Sequence, residues 1–152
     1  MLLLVGLGNP NPNNTNNRHN VGFLVIDAIN QKFKLSKQKP KFKGLLTTGN
    51  IEEKKIYAIK PLTFMNNSGT AIKELIDYFK IDAKDVFVFH DDMDIDFGKI
   101  KAKFGGSSAG HNGIDSIPLW PALLPPNFAF TFPKSISISS WNTKTSFASI
   151  LK

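Results

Sequence analysis

The chain has 152 residues, no cysteine, and 19 Lys and Arg against 12 Asp and Glu, a formal net charge of +7. This length makes one domain that can bury a core without disulfides, and the lack of cysteine excludes thiol catalysis and cysteine-based metal sites. The basic balance suggests an anionic partner such as nucleic acid, but residues 1–116 hold 16 basic against 12 acidic side chains, a net +4, and Arg18 is the sole arginine, so phosphates would be gripped by lysine point charges.

The start, MLLLVG, has no basic lead-in and is too short for a signal peptide or a membrane span, which predicts a cytoplasmic protein with no membrane contact. Leu2–Val5 reads as a central strand, stopped by the Gly, Pro and Asn residues that follow. Arg18-His19-Asn20 then opens a helix, so His19 is delivered to the C-terminal edge of a strand, where ligands bind in α/β sheets. Val21, Leu24, Val25, Ala28, Ile29 and Phe33 fall at helical spacing, with Asn20 as N-cap.

Lys34–Lys43, rich in lysine and containing Pro40, reads as a solvated connection. Leu45–Gly49 and Lys55–Lys60 read as two strands around a polar turn at Asn50–Glu53, the second ended by Pro61. A second helix carries Ala71, Ile72, Leu75, Ile76 and Phe79 on one face, with Ser68 as its cap. Val86–Phe89 is a short apolar strand ending in His90-Asp91-Asp92, and Lys99–Phe104 alternates as a half-buried strand should. Beyond Ser116 five of the nine prolines gather and no acidic residue occurs; there only Ser135–Ser139 has strand alternation.

Three motifs fail on their context. Gly6-Leu7-Gly8-Asn9-Pro10-Asn11 lacks the third glycine of a dinucleotide fingerprint, and its loop delays the helix that would face a pyrophosphate. An EF-hand starting at Asp92 needs Gly at 97 and Glu at 103, where Phe97 and Lys103 stand. Gly106-Ser107-Ser108-Ala109-Gly110 spells a nucleophile elbow, but beyond Ser108 the partners available are His111 and Asp115, too near in sequence to close over the serine from separate loops. What remains is His19, Asn9, Asn66, Asn112 and Asp91, each in a loop after a strand, at a strand end or at a helix start. A histidine, one carboxylate and several neutral amides suit an imidazole base and dipoles that orient a peptide-like substrate or stabilise an oxyanion.

Gly6–Gly22 (GLGNPNPNNTNNRHNVG), Pro61–Gly69 (PLTFMNNSG), His90–Asp94 (HDDMD) and Gly110–Gly113 (GHNG) occur in the order found in bacterial-type peptidyl-tRNA hydrolases, and over residues 1–116 the chain resembles that family. The resemblance implies a single-domain α/β fold with a twisted mixed β-sheet flanked by helices. It also implies an esterase that frees tRNA from peptides dropped by stalled ribosomes; an activated ester is an easy substrate, so base catalysis and oriented dipoles suffice without metal or cofactor, and a monomer is expected. By position His19 matches the catalytic base and Asp91 the carboxylate that orients it. Asn9 matches the residue that distinguishes N-blocked from free aminoacyl-tRNA. Asn66 and Asn112 match amides that hold the peptide backbone and position water, Phe64 and Met65 sit where the family lines its pocket, and Lys103 matches one of the two basic groups that clamp the tRNA 5′-phosphate.

The departures are as specific. Asn11, Asn14 and Asn17 stand where the family usually has Gly, Tyr and Thr, so Asn14 takes the place of a tRNA-facing tyrosine, and Ser107 and Ala109 replace usual glycines. The family's Arg-containing last strand, which supplies the second phosphate clamp, and its C-terminal helix have no counterpart in this sequence. The expectation is an α/β domain over residues 1–116 and, over 117–152, a Pro/Ser/Phe-rich tail that reads as an out-of-frame or otherwise aberrant segment. Two readings stand beside the hydrolase: an inactive remnant that keeps weak RNA binding, and a lysine-mediated binder of other nucleic acids.

Overall fold

A computed structural model of the chain describes residues 1–11, 18–64, 67–92, 101–104 and 128–133. They form a single α/β domain whose seven strands lie in one mixed sheet, ordered β2-β3-β4-β1-β5-β7-β6. The strands are β1 (Leu2–Gly6), β2 (Lys39–Lys41), β3 (Gly44–Ile51), β4 (Lys54–Pro61), β5 (Val86–Asp92), β6 (Lys101–Phe104) and β7 (Phe128–Pro133), and the helices are α1 (Val21–Phe33) and α2 (Ser68–Phe79). β1 is parallel to both β4 and β5, as β5 is to β7, whereas β2–β3, β3–β4 and β6–β7 are antiparallel.

The uninterrupted apolar run of β1 is explained by its place in the middle of the sheet, buried on both faces. Leu2 and Leu4 face one core, which α1 fills with Val21, Val25, Ile26 and Ile29. Leu3 and Val5 face the other, which α2 fills with Ala71, Ile72, Leu75 and Ile76. The stripe expected on α2 is the buried one. On α1 the stripe is rotated: Ile26 is fully buried, while Leu24 and Ala28 are only half-buried. Both helices end on a lysine in the left-handed region, Lys34 at φ 51° and Lys80 at φ 54°. Neither helix is long and apolar enough to cross a membrane, among the described residues.

Several sequence expectations are corrected. Asn20 holds the expected N-cap position of α1, but its side chain makes no capping bond; Ser68 does not cap α2, because it lies inside the helix and the N-cap is Asn67, which makes no side-chain capping bond either. The lysine-rich connection holds β2, an edge strand exposed along its length and joined to β3 through Phe42 and Lys43, both at positive φ. This pair of left-handed residues gives the twist a two-residue hairpin needs. The β3–β4 turn tightens to Glu52-Glu53, because Ile51 already pairs with Lys54, and Pro61 closes β4 opposite Gly44. In the Pro/Phe-rich segment a strand runs over Phe128–Pro133, inserted between β5 and β6; Ser135–Ser139 lies outside the described residues.

β5 is launched by a 3-10 turn at Ala83–Asp85, whose preceding Asp82 accepts a hydrogen bond from the Lys84 backbone N–H. The Lys84 side chain beside it holds the Asp82 carboxyl below the usual carboxylate range. That contribution to stability is present above the ordinary carboxylate range and is lost as the pH falls below it, through the lowered value of the folded state.

Candidate active site

Parallel pairing of β1 with β5 sets the site. Leu3–Gly6 lies alongside Val86–Phe89, and one further bond, from the Leu7 N–H to the Phe89 carbonyl at 2.9 Å, carries the pairing past the end of β1. The chain then leaves the C-terminal edge through Gly8-Asn9 and returns in a 3-10 turn, Arg18–Asn20, that runs straight into α1. β5 continues to Asp92, so His19 from the turn and Asp91 from the strand meet at that edge.

His19 Nδ1 lies 2.7 Å from Asp91 Oδ2. The carboxylate is buried, its side chain 6% exposed, and the imidazole is open at 44%. A carboxylate only accepts, so the proton of this bond sits on Nδ1 and the basic lone pair is on Nε2. A histidine held in one tautomer by a buried carboxylate and reachable from solvent is the arrangement a general base requires. The neighbouring His90, buried on the opposite face of β5, donates from Nδ1 to the Asp91 carbonyl at 2.7 Å and stiffens the strand where Asp91 sits.

Asn9 is joined to this pair through a residue that sequence reasoning used for something else. Its backbone N–H donates to Asn20 Oδ1 at 2.5 Å, and its own Oδ1 accepts from the Asn11 N–H at 3.0 Å. Asn20 is therefore a cross-link between the loop after β1 and the turn bearing His19; its adjacency to the histidine was the available signal, and the habit of reading asparagine before a helix as a cap concealed it.

Phe64, in the connection from β4 to α2, is 80% exposed. Lys103 lies in β6, at the far edge of the sheet, paired with Ala129. Asn14, Met65, Asn66 and Asn112 lie outside the described residues, as does the acidic run beyond Asp92. The structure thus brings together His19, Asp91 and Asn9, and leaves Phe64 displayed to solvent on the connection that precedes α2.

A family model described as peptidyl-tRNA hydrolase matches residues 3–119. Among curated relatives, the peptidyl-tRNA hydrolase of Pelagibacter ubique is 79% identical over 117 residues, covering 77% of this chain and 63% of its own. That of Bacillus subtilis is 46% identical over 117 residues, covering 77% and 62%. The chain spans about three-fifths of the length of such relatives. Among solved structures, peptidyl-tRNA hydrolase from Acinetobacter baumannii superposes with a TM-score of 0.80 at 32% identity, over 92% of this chain and 71% of that one. A peptidyl-tRNA hydrolase in complex with N-propanol gives 0.79 at 33% identity, over 88% and 67%. With its motifs, its sheet and its matched residues in agreement, this chain belongs to the peptidyl-tRNA hydrolase family.

Proposed function

We propose that the chain hydrolyses the ester joining peptide to tRNA in N-blocked peptidyl-tRNA, with His19 as general base and Asp91 as its orienting carboxylate. The observation that carries this reading is the 2.7 Å bond between His19 Nδ1 and a buried Asp91 carboxylate at the C-terminal edge of the sheet.

Water bound at His19 Nε2 gives up a proton as its oxygen attacks the ester carbonyl. The imidazolium that forms is stabilised by Asp91, which stays ionised. Collapse of the tetrahedral intermediate breaks the bond to the terminal ribose oxygen, which takes the proton back from His19 and leaves as the tRNA hydroxyl, while the peptide leaves as a carboxylic acid. The amides of Asn9, Asn66 and Asn112 serve as the neutral groups that hold the peptide and the developing oxyanion, and Phe64 and Met65 supply apolar contact. An aminoacyl ester is an activated substrate, so base catalysis and fixed dipoles suffice.

The substrate's nucleic-acid part is assigned to lysine. Lys103 is placed on the 5′-phosphate and Asn14 on the acceptor end, in a monomer of the cytoplasm; the family motifs and the net charge of +7 support this. The segment from about residue 117 is read as out of frame or aberrant, a reading supported by the family match stopping at residue 119. Translating the two other frames of the coding DNA tests it: an Arg-x-Gly-Ile-like strand in one of them is expected, and its absence from both removes the idea.

Asp91→Asn tests the mechanism. The amide can present its NH2 to Nδ1 and favour the wrong tautomer, so single-turnover peptide release should fall by about 10²-fold or more. Release within about threefold of wild type would contradict the assigned role of Asp91.

A further inference from the structure

We infer that Asn20 is a positioning residue that sets the discrimination between N-blocked and unblocked aminoacyl esters, by holding the Asn9 backbone against the turn that carries His19. The inference rests on the esterase reading above and on the role in distinguishing N-blocked from free aminoacyl-tRNA that the family resemblance implies for Asn9.

Asn20 precedes α1, where an asparagine would ordinarily fold back onto the first helical N–H groups. Here its backbone sits at φ −100°, ψ 10°, and no capping bond forms. The side chain is instead committed across the site: Oδ1 accepts the Asn9 N–H at 2.5 Å, and the residue is only 4% exposed. Asn20 is also bonded covalently to His19, so any shift of its amide moves the recognition loop relative to the base.

Gly8 completes the device. A Cβ there would lie 2.9 Å from Asn20 Oδ1 and 2.7 Å from the Phe23 ring. The absent side chain is thus the space through which the Asn20 amide reaches Asn9. Two bonds then fix Asn9 in different ways: Asn20 sets where its backbone lies, and the Asn11 N–H on its Oδ1 sets how its amide is turned. An amide that must tell an acylated amine from a free ammonium needs that fixed position, since discrimination by hydrogen bonding decays quickly with misplacement.

The test is the ratio of hydrolysis rates for N-acetyl-aminoacyl-tRNA and free aminoacyl-tRNA, measured alongside thermal unfolding. Asn20→Leu, similar in volume but without an acceptor, should lower that ratio by about tenfold, and Asn20→Asp, which keeps the oxygens, should stay within about threefold of wild type. Gly8→Ala should reproduce the loss with Asn20 intact. In an Asn9→Ala background, Asn20→Leu should add nothing further, a non-additivity that a merely structural role does not produce. A folded Asn20→Leu protein with the wild-type ratio, or an effect that simply adds to Asn9→Ala, overturns the inference. A wild type that cleaves neither ester overturns the esterase reading itself, which is a separate outcome.

Discussion

Replacing His19 with alanine should slow single-turnover release of peptide from an N-blocked peptidyl-tRNA by about 10²–10⁴-fold, the range lost when a positioned general base is removed. The fold should survive, because the imidazole is nearly half exposed and its loss opens no cavity in either core. The change does take from Asp91 the hydrogen bond of a buried carboxylate. Asn at position 19 separates the two effects: its amide can still donate toward Asp91 but cannot take a proton at the Nε2 position. His19→Asn should therefore be as inactive as His19→Ala while melting closer to wild type. Equal activity of His19→Asn and wild type, measured by peptide release, would mean that the proton goes elsewhere.

The second large effect lies in the scaffold. A Cβ added at Gly22 would sit 2.3 Å from the Leu7 carbonyl oxygen, 2.4 Å from the Leu7 nitrogen and 2.4 Å from the Phe89 carbonyl oxygen. All three obstacles are backbone, and two of them belong to the bond that continues β1 against β5. They cannot yield as a flexible side chain would, so α1 must lift off the sheet. Gly22→Ala should cost about 3 kcal/mol or more, out of a total of about 5–15 kcal/mol for an ordinary domain, read as a lower urea midpoint. It should also lower activity in the fraction that remains folded, because His19 lies three residues before Gly22 and Asp91 two residues after Phe89. A destabilisation below about 1 kcal/mol would show that the helix has room to move. The glycine is needed for close approach rather than for an unusual backbone angle, since Gly22 is not at positive φ.

Much of this architecture could be read from periodicity, and the failures have physical causes. β1, α2 and the β3–β4 pair announce themselves because burial on one or both faces leaves a pattern in the apolar residues. β2 does not: Lys39-Pro40-Lys41 is exposed on both faces at the edge of the sheet, so nothing constrains its side chains, and its turn uses Phe42 and Lys43 where glycine or asparagine would have signalled it. β7 is hidden among prolines, although its own proline, Pro133, stands only at the strand's last residue. On α1, Leu24 and Ala28 make as regular an apolar stripe as the buried one that includes Ile26, so periodicity alone does not single out Ile26.

For the site, the residue types were legible and their meeting was not. His19 and Asp91 are 72 positions apart, and only the parallel pairing of β1 with β5 makes them neighbours. Asn20 shows the limit of local rules: propensity gives asparagine before a helix one meaning, and tertiary structure gives its amide another.

The measurement that bears most directly on the central claim is single-turnover release of peptide from N-blocked peptidyl-tRNA by the purified wild-type chain, with circular dichroism to verify that it is folded. Release by wild type that disappears in His19→Ala is the predicted result. A soluble, folded wild-type chain that releases no peptide, or release that persists undiminished in His19→Ala, would contradict it.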